Sequence, residues 1–175
     1  MTAPTPKLTL TAINALDAGD FSRLFGAVYE NSPWIAKRAF AKKPFATRQA
    51  LHLALYGVVL SAKEFEQADL LNTHPELAGR EAEHGTLTAA SRQEQSSAGL
   101  NALTRDEMTW LHERNGLYRT RFGFPFIIAV RLHSKASIFA AIQGRLNNTR
   151  EQEFQNAIAQ VGEIARLRLD DLLKA

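Results

Sequence analysis

The chain has 175 residues and no cysteine, which excludes disulfides, thiol nucleophiles and cysteine-based metal sites. Long apolar runs are missing too. No stretch approaches the ~20 residues that span a bilayer, and Met1-Thr2-Ala3-Pro4-Thr5-Pro6 lacks the basic region and apolar run of a signal peptide. The ending Leu172-Leu173-Lys174-Ala175 is not a peroxisomal address. A cytoplasmic protein with no membrane partner is therefore expected. Excess charge is scarce, since 21 basic and 18 acidic residues leave +3. Lys37, Arg38, Lys42 and Lys43 form the densest basic patch, with no aromatic interleaving and no nucleic-acid motif around it. It reads as a solvated helix face, and no nucleic-acid partner is expected. There is no phosphate-binding glycine loop and no His-Glu-x-x-His, and His52 and His112 have no second ligand at metal-binding spacing, so no metal is expected.

What is present is an ordinary globular composition, 45% hydrophobic and 22% charged, of a length suited to one domain with a real core. Runs of alternating β-branched residues are absent; only Ile127-Ile128-Ala129-Val130 looks strand-like. Helix starts recur instead. Ser61-x-x-Glu64, Thr104-x-x-Glu107 and Thr149-x-x-Gln152 have the capping-box pattern, in which a hydroxyl and a later Glu or Gln satisfy each other's orphan N–H groups. Ser32-Pro33 places a cap before a first-turn proline. Thr47 opens a helix carrying Leu51, Leu55, Val58 and Val59 at helical spacing. The pattern predicts seven to nine helices in an all-α, single-domain compact multi-helix bundle, with residues 1–8 disordered and the domain over 9–175. The stretch from His74 to about Leu87 is polar and glycine-bearing, and it is expected to be non-helical and exposed.

Four features are candidates for chemistry. Phe122-Gly123-Phe124-Pro125-Phe126-Ile127-Ile128 is apolar, yet it carries a glycine and a proline that end a helix. The chain turns here and leaves the N–H groups after Pro125 to face a core crossing or a ligand. His74, before Pro75, stands at a helix end, where an imidazole with a reference pKa of ~6.5 suits proton transfer. Ser91, Glu94 and Gln95 share one helix face near its N-terminus, as a plain capping box or as a hydroxyl, carboxylate and amide facing one ligand. In the last helix, Phe154, Ala157, Ile158, Val161, Ile164, Ala165 and Leu172 form an apolar stripe. At ~100° per residue Arg168 falls inside it and Arg166 outside. A buried Arg168 must be paired, either with an internal carboxylate or with a bound anion. Trp34, Trp110 and most of the ten phenylalanines read as core, with Asn14 and Trp34 as candidates for a pocket wall.

Three segments together carry a family resemblance: His74-Pro75-Glu76-Leu77-Ala78-Gly79, then Ser91-Arg92-Gln93-Glu94-Gln95-Ser96-Ser97-Ala98-Gly99-Leu100, then Arg121-Phe122-Gly123-Phe124-Pro125-Phe126-Ile127-Ile128. In this order, and with the ending Glu163-Ile164-Ala165-Arg166-Leu167-Arg168-Leu169, the chain from about Leu10 to Leu172 resembles the OHCU decarboxylases of urate degradation. The resemblance implies an all-helical, cofactor-free, dimeric carboxy-lyase that converts 2-oxo-4-hydroxy-4-carboxy-5-ureidoimidazoline to (S)-allantoin in purine metabolism. It implies His74, Glu94 and Arg168 as catalytic residues, and Pro75, Ser91, Gln95, Phe124, Phe126, Ile127 and Ile128 as substrate-binding ones. Urate oxidase and hydroxyisourate hydrolase are the implied pathway neighbours. Two other classes compete. A helical binding protein would keep the pocket without turnover, and a basic helical adaptor would bind acidic partners with strong salt dependence.

Overall fold

The computed structural model describes residues 7–174. These hold ten α-helices: α1 (Leu10–Ala15), α2 (Ala18–Gly26), α3 (Pro33–Ala39), α4 (Arg48–Ser61), α5 (Glu64–Thr73), α6 (Arg80–Glu83), α7 (Ala89–Ser97), α8 (Arg105–Phe122), α9 (Lys135–Arg145) and α10 (Arg150–Leu172). Short 3-10 turns cover Phe40–Lys42 and Val130–Leu132. The described residues contain no strand, and one isolated parallel bridge joins Leu8 to Leu173. The chain is thus all-α. Among the described residues no helix is long and apolar enough to cross a membrane.

The helices gather into two compact units. One takes the described residues up to Gln67 together with those from Gly162 onward; the other is Ala68–Val161. In the first, side-chain caps set the helix starts: Thr9 accepts from the Ala12 N–H (3.2 Å), Asp17 from Asp20 (2.8 Å) and Thr47 from Ala50 (2.9 Å). Each such cap contributes ~1 kcal/mol. Phe21 is fully buried and packs with Phe25, Phe40 and Phe45 at centroid separations of 4.6, 5.6 and 5.9 Å. The Asn14 amide clamps the Phe45 backbone from both sides, donating to its carbonyl (2.9 Å) and accepting from its N–H (2.8 Å). Asn14 is thereby a structural clasp. α10 lies close against α4 at Gly162. A Cβ on Gly162 would come within 2.7 Å of the Tyr56 ring, so only glycine permits this approach.

In the second unit α8 is the longest helix that lies wholly within it. Thr104 and Glu107 complete a capping box at its start, and Gly123 closes its end at φ 85°, its N–H bonded to the Arg119 carbonyl at 2.8 Å. That left-handed residue suits glycine. Beyond it the chain leaves the helix as the apolar turn expected from the sequence. Tyr118, Phe122, Phe124, Phe126 and Phe154 are buried, and ring pairs 118–122, 118–126 and 124–154 lie 4.6, 5.3 and 5.8 Å apart. Such pairs contribute ~0.5–1.5 kcal/mol beyond their burial.

Several expectations need correction. Among the described residues helices number ten rather than seven to nine, because α1 and α6 are shorter than the window that periodicity resolves. Ser61 does not cap α5; its hydroxyl donates to the Gly57 carbonyl (2.8 Å) at the end of α4, and Glu66 reaches back to the Lys63 N–H instead (3.1 Å). Ile127–Val130 forms no strand, having no partner segment. The stretch from His74 to Leu87 is not wholly exposed, since His74, Leu77, Ala78 and Leu87 are buried, and it contains α6. Trp34 and Trp110 are half-buried rather than core; Arg38 lies 4.6 Å over the first and Phe139 stacks on the second at 4.9 Å. Of the basic patch, Arg38 pairs with Glu66 (2.5 Å), and Lys43 turns inward to the Leu16 carbonyl and over the Phe40 ring. The leader expected to be disordered over residues 1–8 lies, for residues 1–6, outside the described residues; Leu8 is held by the Leu172 carbonyl and by the Lys174 N–H, each at 2.9 Å.

Candidate active site

His74 directly follows α5 and is buried, 6% exposed. Its Nδ1 lies 3.0 Å from the Leu70 carbonyl. A carbonyl only accepts, so Nδ1 carries the proton, and in the neutral ring Nε2 carries the lone pair. The helix end therefore fixes the tautomer and makes Nε2 the basic atom.

The loop after His74-Pro75 is tied down residue by residue. Gln95 on α7 donates to the Glu76 carbonyl (3.3 Å) and accepts from the Ala78 N–H (2.8 Å). Asn115 on α8 donates to the Leu77 carbonyl at 2.9 Å, His112 meets the Ala78 carbonyl at 2.7 Å, and Arg119 pairs with the Glu76 carboxylate at 2.7 Å. Ala78 sits at φ 47°, a left-handed conformation that costs an alanine ~1–2 kcal/mol, and this web of bonds holds it there.

Ser91 is not the cap of α7. Thr88 fills that place, accepting from the Ser91 N–H at 3.2 Å, and the helix starts at Ala89. Capping therefore does not account for Ser91, which is buried in the first turn. Glu94 is half-buried on the same helix. A cavity of about 440 Å³ opens beside Gln95, with Ala78, Leu87, Arg92, Leu100 and Met108 in its walls; His74 is not among its lining residues.

Phe124, Phe126, Ile127 and Ile128 are all buried. Among the described residues none accepts a hydrogen bond from the Phe126, Ile127 or Ile128 N–H. The next amide, Ala129, donates to the Gln160 side chain at 2.9 Å. The Ile127 carbonyl accepts from Arg145 Nη1 at 2.8 Å.

Behind this loop lies a cluster that sequence reasoning missed. Glu153 is fully buried and accepts from Arg145 Nε (2.9 Å), Asn148 (2.7 Å), Asn156 (2.9 Å) and the Tyr118 hydroxyl. Burial alone would raise the Glu153 carboxyl. The hydrogen bonds from Tyr118, Asn148 and Asn156 and the Arg145 charge outweigh it and hold the carboxyl below its ordinary value. Burial and the bond to Glu153 push the Tyr118 phenol up. A signal was available, because Glu153 lies one helical turn before Ala157 on the stripe that contains Arg168.

In the first unit, Arg168 is buried at 6% exposure, as the helical stripe required. It donates to Glu30 at 2.7 Å and to the Val28 carbonyl at 3.2 Å. Glu30 is itself 3% exposed and sits at φ 49°. The internal carboxylate foreseen for Arg168 is therefore present, though its identity was not legible. Arg166 is half-buried and pairs with Glu163 (3.0 Å) and Asp170 (3.2 Å) along its own helix. The described residues contain no group of three or more His, Asp or Glu side chains placed to hold a metal.

These features define an all-helical protein with a buried, tautomer-fixed histidine and an apolar loop that offers backbone donors. A model of the OHCU decarboxylase family matches residues 14–170, and the chain belongs to that family. It is 38% identical over 168 residues to the mouse 2-oxo-4-hydroxy-4-carboxy-5-ureidoimidazoline decarboxylase, covering 96% of this chain and 94% of that one. It is 39% identical over 166 residues to the enzyme of that name from Halalkalicoccus jeotgali, covering 95% and 92%. Among solved structures it resembles an (S)-allantoin synthase with a TM-score of 0.76 and 28% identity, over 97% of this chain. The chain spans about half, 54%, of that synthase.

Proposed function

We propose that this chain is a carboxy-lyase that decarboxylates 2-oxo-4-hydroxy-4-carboxy-5-ureidoimidazoline to (S)-allantoin, using its own side chains and backbone and no cofactor. The observation that carries the reading is His74, buried, with its Nδ1 proton directed at the Leu70 carbonyl, which leaves the lone pair of the neutral ring on Nε2.

The chemistry follows from the substrate. The ring carbon that bears the carboxylate also bears the hydroxyl. Breaking the bond to the carboxylate releases carbon dioxide and leaves an electron pair, which the adjoining imine-like carbon–nitrogen system takes up as its nitrogen gains one proton from solvent. Nε2 of His74 removes the hydroxyl proton as the carbon–oxygen bond becomes a carbonyl, and a proton returned to the neighbouring ring carbon on one face sets the S configuration. The N–H groups of Phe126, Ile127 and Ile128 supply fixed donors for the developing charge, and preorganised donors need little reorganisation. Arg168, held by Glu30 and Val28, is the arginine assigned to the substrate's anionic group. Glu94 and Ser91 are assigned to the ureido arm, with Pro75, Gln95 and Phe124 shaping the pocket. Homodimer formation and a cytoplasmic location belong to the same proposal; sedimentation of the purified chain tests the first, and cell fractionation the second.

The deciding experiment follows circular dichroism while urate oxidase and hydroxyisourate hydrolase generate the substrate in place. Wild type should accelerate the appearance of optically active allantoin, and folded His74→Asn should abolish the acceleration. Slow racemic product in the presence of folded wild type would reduce the chain to a binding protein. Full turnover by His74→Asn would remove the histidine from the chemistry.

A further inference from the structure

Nothing in the proposed reaction calls for a carboxylate at position 153, yet the second unit buries one completely and gives it donors from Tyr118, Arg145, Asn148 and Asn156. Stability alone does not require this arrangement. Replacing a buried ion pair by apolar residues of similar volume is often neutral or stabilising. A buried pair that is kept is better understood by what its members touch.

Arg145 touches the apolar loop twice. Its Nη1 donates to the Ile127 carbonyl at 2.8 Å, and its guanidinium lies 4.6 Å over the Phe126 ring. Glu153 holds the Nε edge of the same guanidinium at 2.9 Å, so the planar fork cannot rotate away. Gln160, two turns further along α10, accepts from the Ala129 N–H at 2.9 Å. The loop is thus pinned at the ring of residue 126, the carbonyl of 127 and the amide of 129. The N–H groups without a protein acceptor lie within that frame.

Peptide geometry turns this into a direction. The Ile127 carbonyl and the Ile128 N–H belong to one planar unit, and no cis bond occurs here among the described residues. In a trans peptide these two groups point in opposite directions. Pulling the carbonyl toward Arg145 therefore aims the Ile128 N–H the other way. We propose that Arg145, anchored on Glu153, is a positioning residue that orients the Ile128 N–H toward the substrate. The inference rests on the reading of the 126–128 loop as the substrate cradle.

Two variants test it. Arg145→Lys keeps the charge but lacks the fork needed to hold Glu153 and the Ile127 carbonyl together. The double variant Arg145→Met with Glu153→Gln removes both charges at once, leaving no unpaired buried ion to unfold the chain. Two quantities are read on each: the steady-state constants for decarboxylation, and amide hydrogen exchange across residues 126–129 in the free protein. Small misplacements of catalytic groups can cost ~100-fold, so kcat should fall by about 10- to 100-fold with KM changed far less. Exchange at 126–129 should accelerate while the α8 amides stay protected. Unchanged exchange at 126–129 in folded variants would overturn the proposal, because the tether would then not hold the loop. Accelerated exchange with unchanged kcat and KM would instead overturn the cradle reading, and the aiming role with it. If the double variant does not fold, Arg145→Lys decides alone by the same two readouts.

Discussion

Gln95 invites two explanations, as a substrate contact and as a strut for the His74 loop, and replacing it by leucine separates them. The buried Ala78 N–H gives its hydrogen to Gln95 Oε1, and Gln95 Nε2 returns one to the Glu76 carbonyl. Leucine is close in volume but offers neither group. An orphaned buried donor costs ~1–3 kcal/mol and an ordinary hydrogen bond contributes ~0.5–1.5 kcal/mol, so Gln95→Leu should destabilise by about 2–4 kcal/mol. At ~2–4 °C per kcal/mol for a chain of this size, the midpoint of thermal unfolding should fall by roughly 4–16 °C. Gln95→Glu keeps the acceptor for Ala78 but sets a carboxylate against the Glu76 carbonyl, and it should lie between the two. The assay is scanning calorimetry together with turnover measured well below either midpoint. If Gln95→Leu melted with wild type, the strut argument would fail. Activity lost at unchanged stability would place the Gln95 amide on the substrate instead.

Three further outcomes are expected. Thr104→Ala removes one half of the capping box that opens α8 and should cost ~1 kcal/mol in urea unfolding, with kcat and KM unchanged. Gly123→Ala meets no neighbour within 4 Å of the added Cβ, but the residue sits at φ 85°; the backbone alone should then cost ~1–2 kcal/mol in the same assay. The Glu153 carboxyl is held below its ordinary value in the folded protein. Its charge thus stabilises fully above the unfolded carboxyl value of ~4.3, and this contribution disappears as pH falls through the lower folded value. Melting temperatures from neutral to acid pH should show Glu153→Gln less stable at neutrality and converging on wild type in acid. Parallel curves would refute the argument.

The legible features were the periodic and the local ones. Helical spacing separated Arg168 from Arg166, and hydroxyl-to-acid spacing found the caps at Thr104 and Thr149, where Gln152 answers Thr149 reciprocally. Gly123 and Pro125 announced the turn that ends α8. Spacing misled where two local solutions compete. Ser61 could close one helix as readily as open the next, and Thr88 displaced Ser91 as a cap from three residues upstream. Long-range pairing left no trace of its own. Nothing near Glu30 in sequence points to residue 168, and nothing near Arg145 points to the Ile127 carbonyl. The composition of the 74–87 stretch hid the fact that α7 and α8 cover its polar backbone with side-chain amides and an imidazole.

The Arg168–Glu30 pair also sets a calendar for the newly made chain. The second unit is one unbroken stretch, Ala68–Val161, whereas the first needs residues from Gly162 onward. During synthesis, Ala68–Val161 is complete before Ala165, Arg168 and Leu169 leave the ribosome. Glu30, destined for a buried site, must wait for Arg168, which is translated 138 residues later. The stretch with His74 and the apolar loop can organise meanwhile. A chain truncated after Val161 and released from the ribosome would therefore hold a complete middle and an unfinished beginning, and brief proteolysis of it should cut before Gln67 and spare the stretch from Ala68 onward.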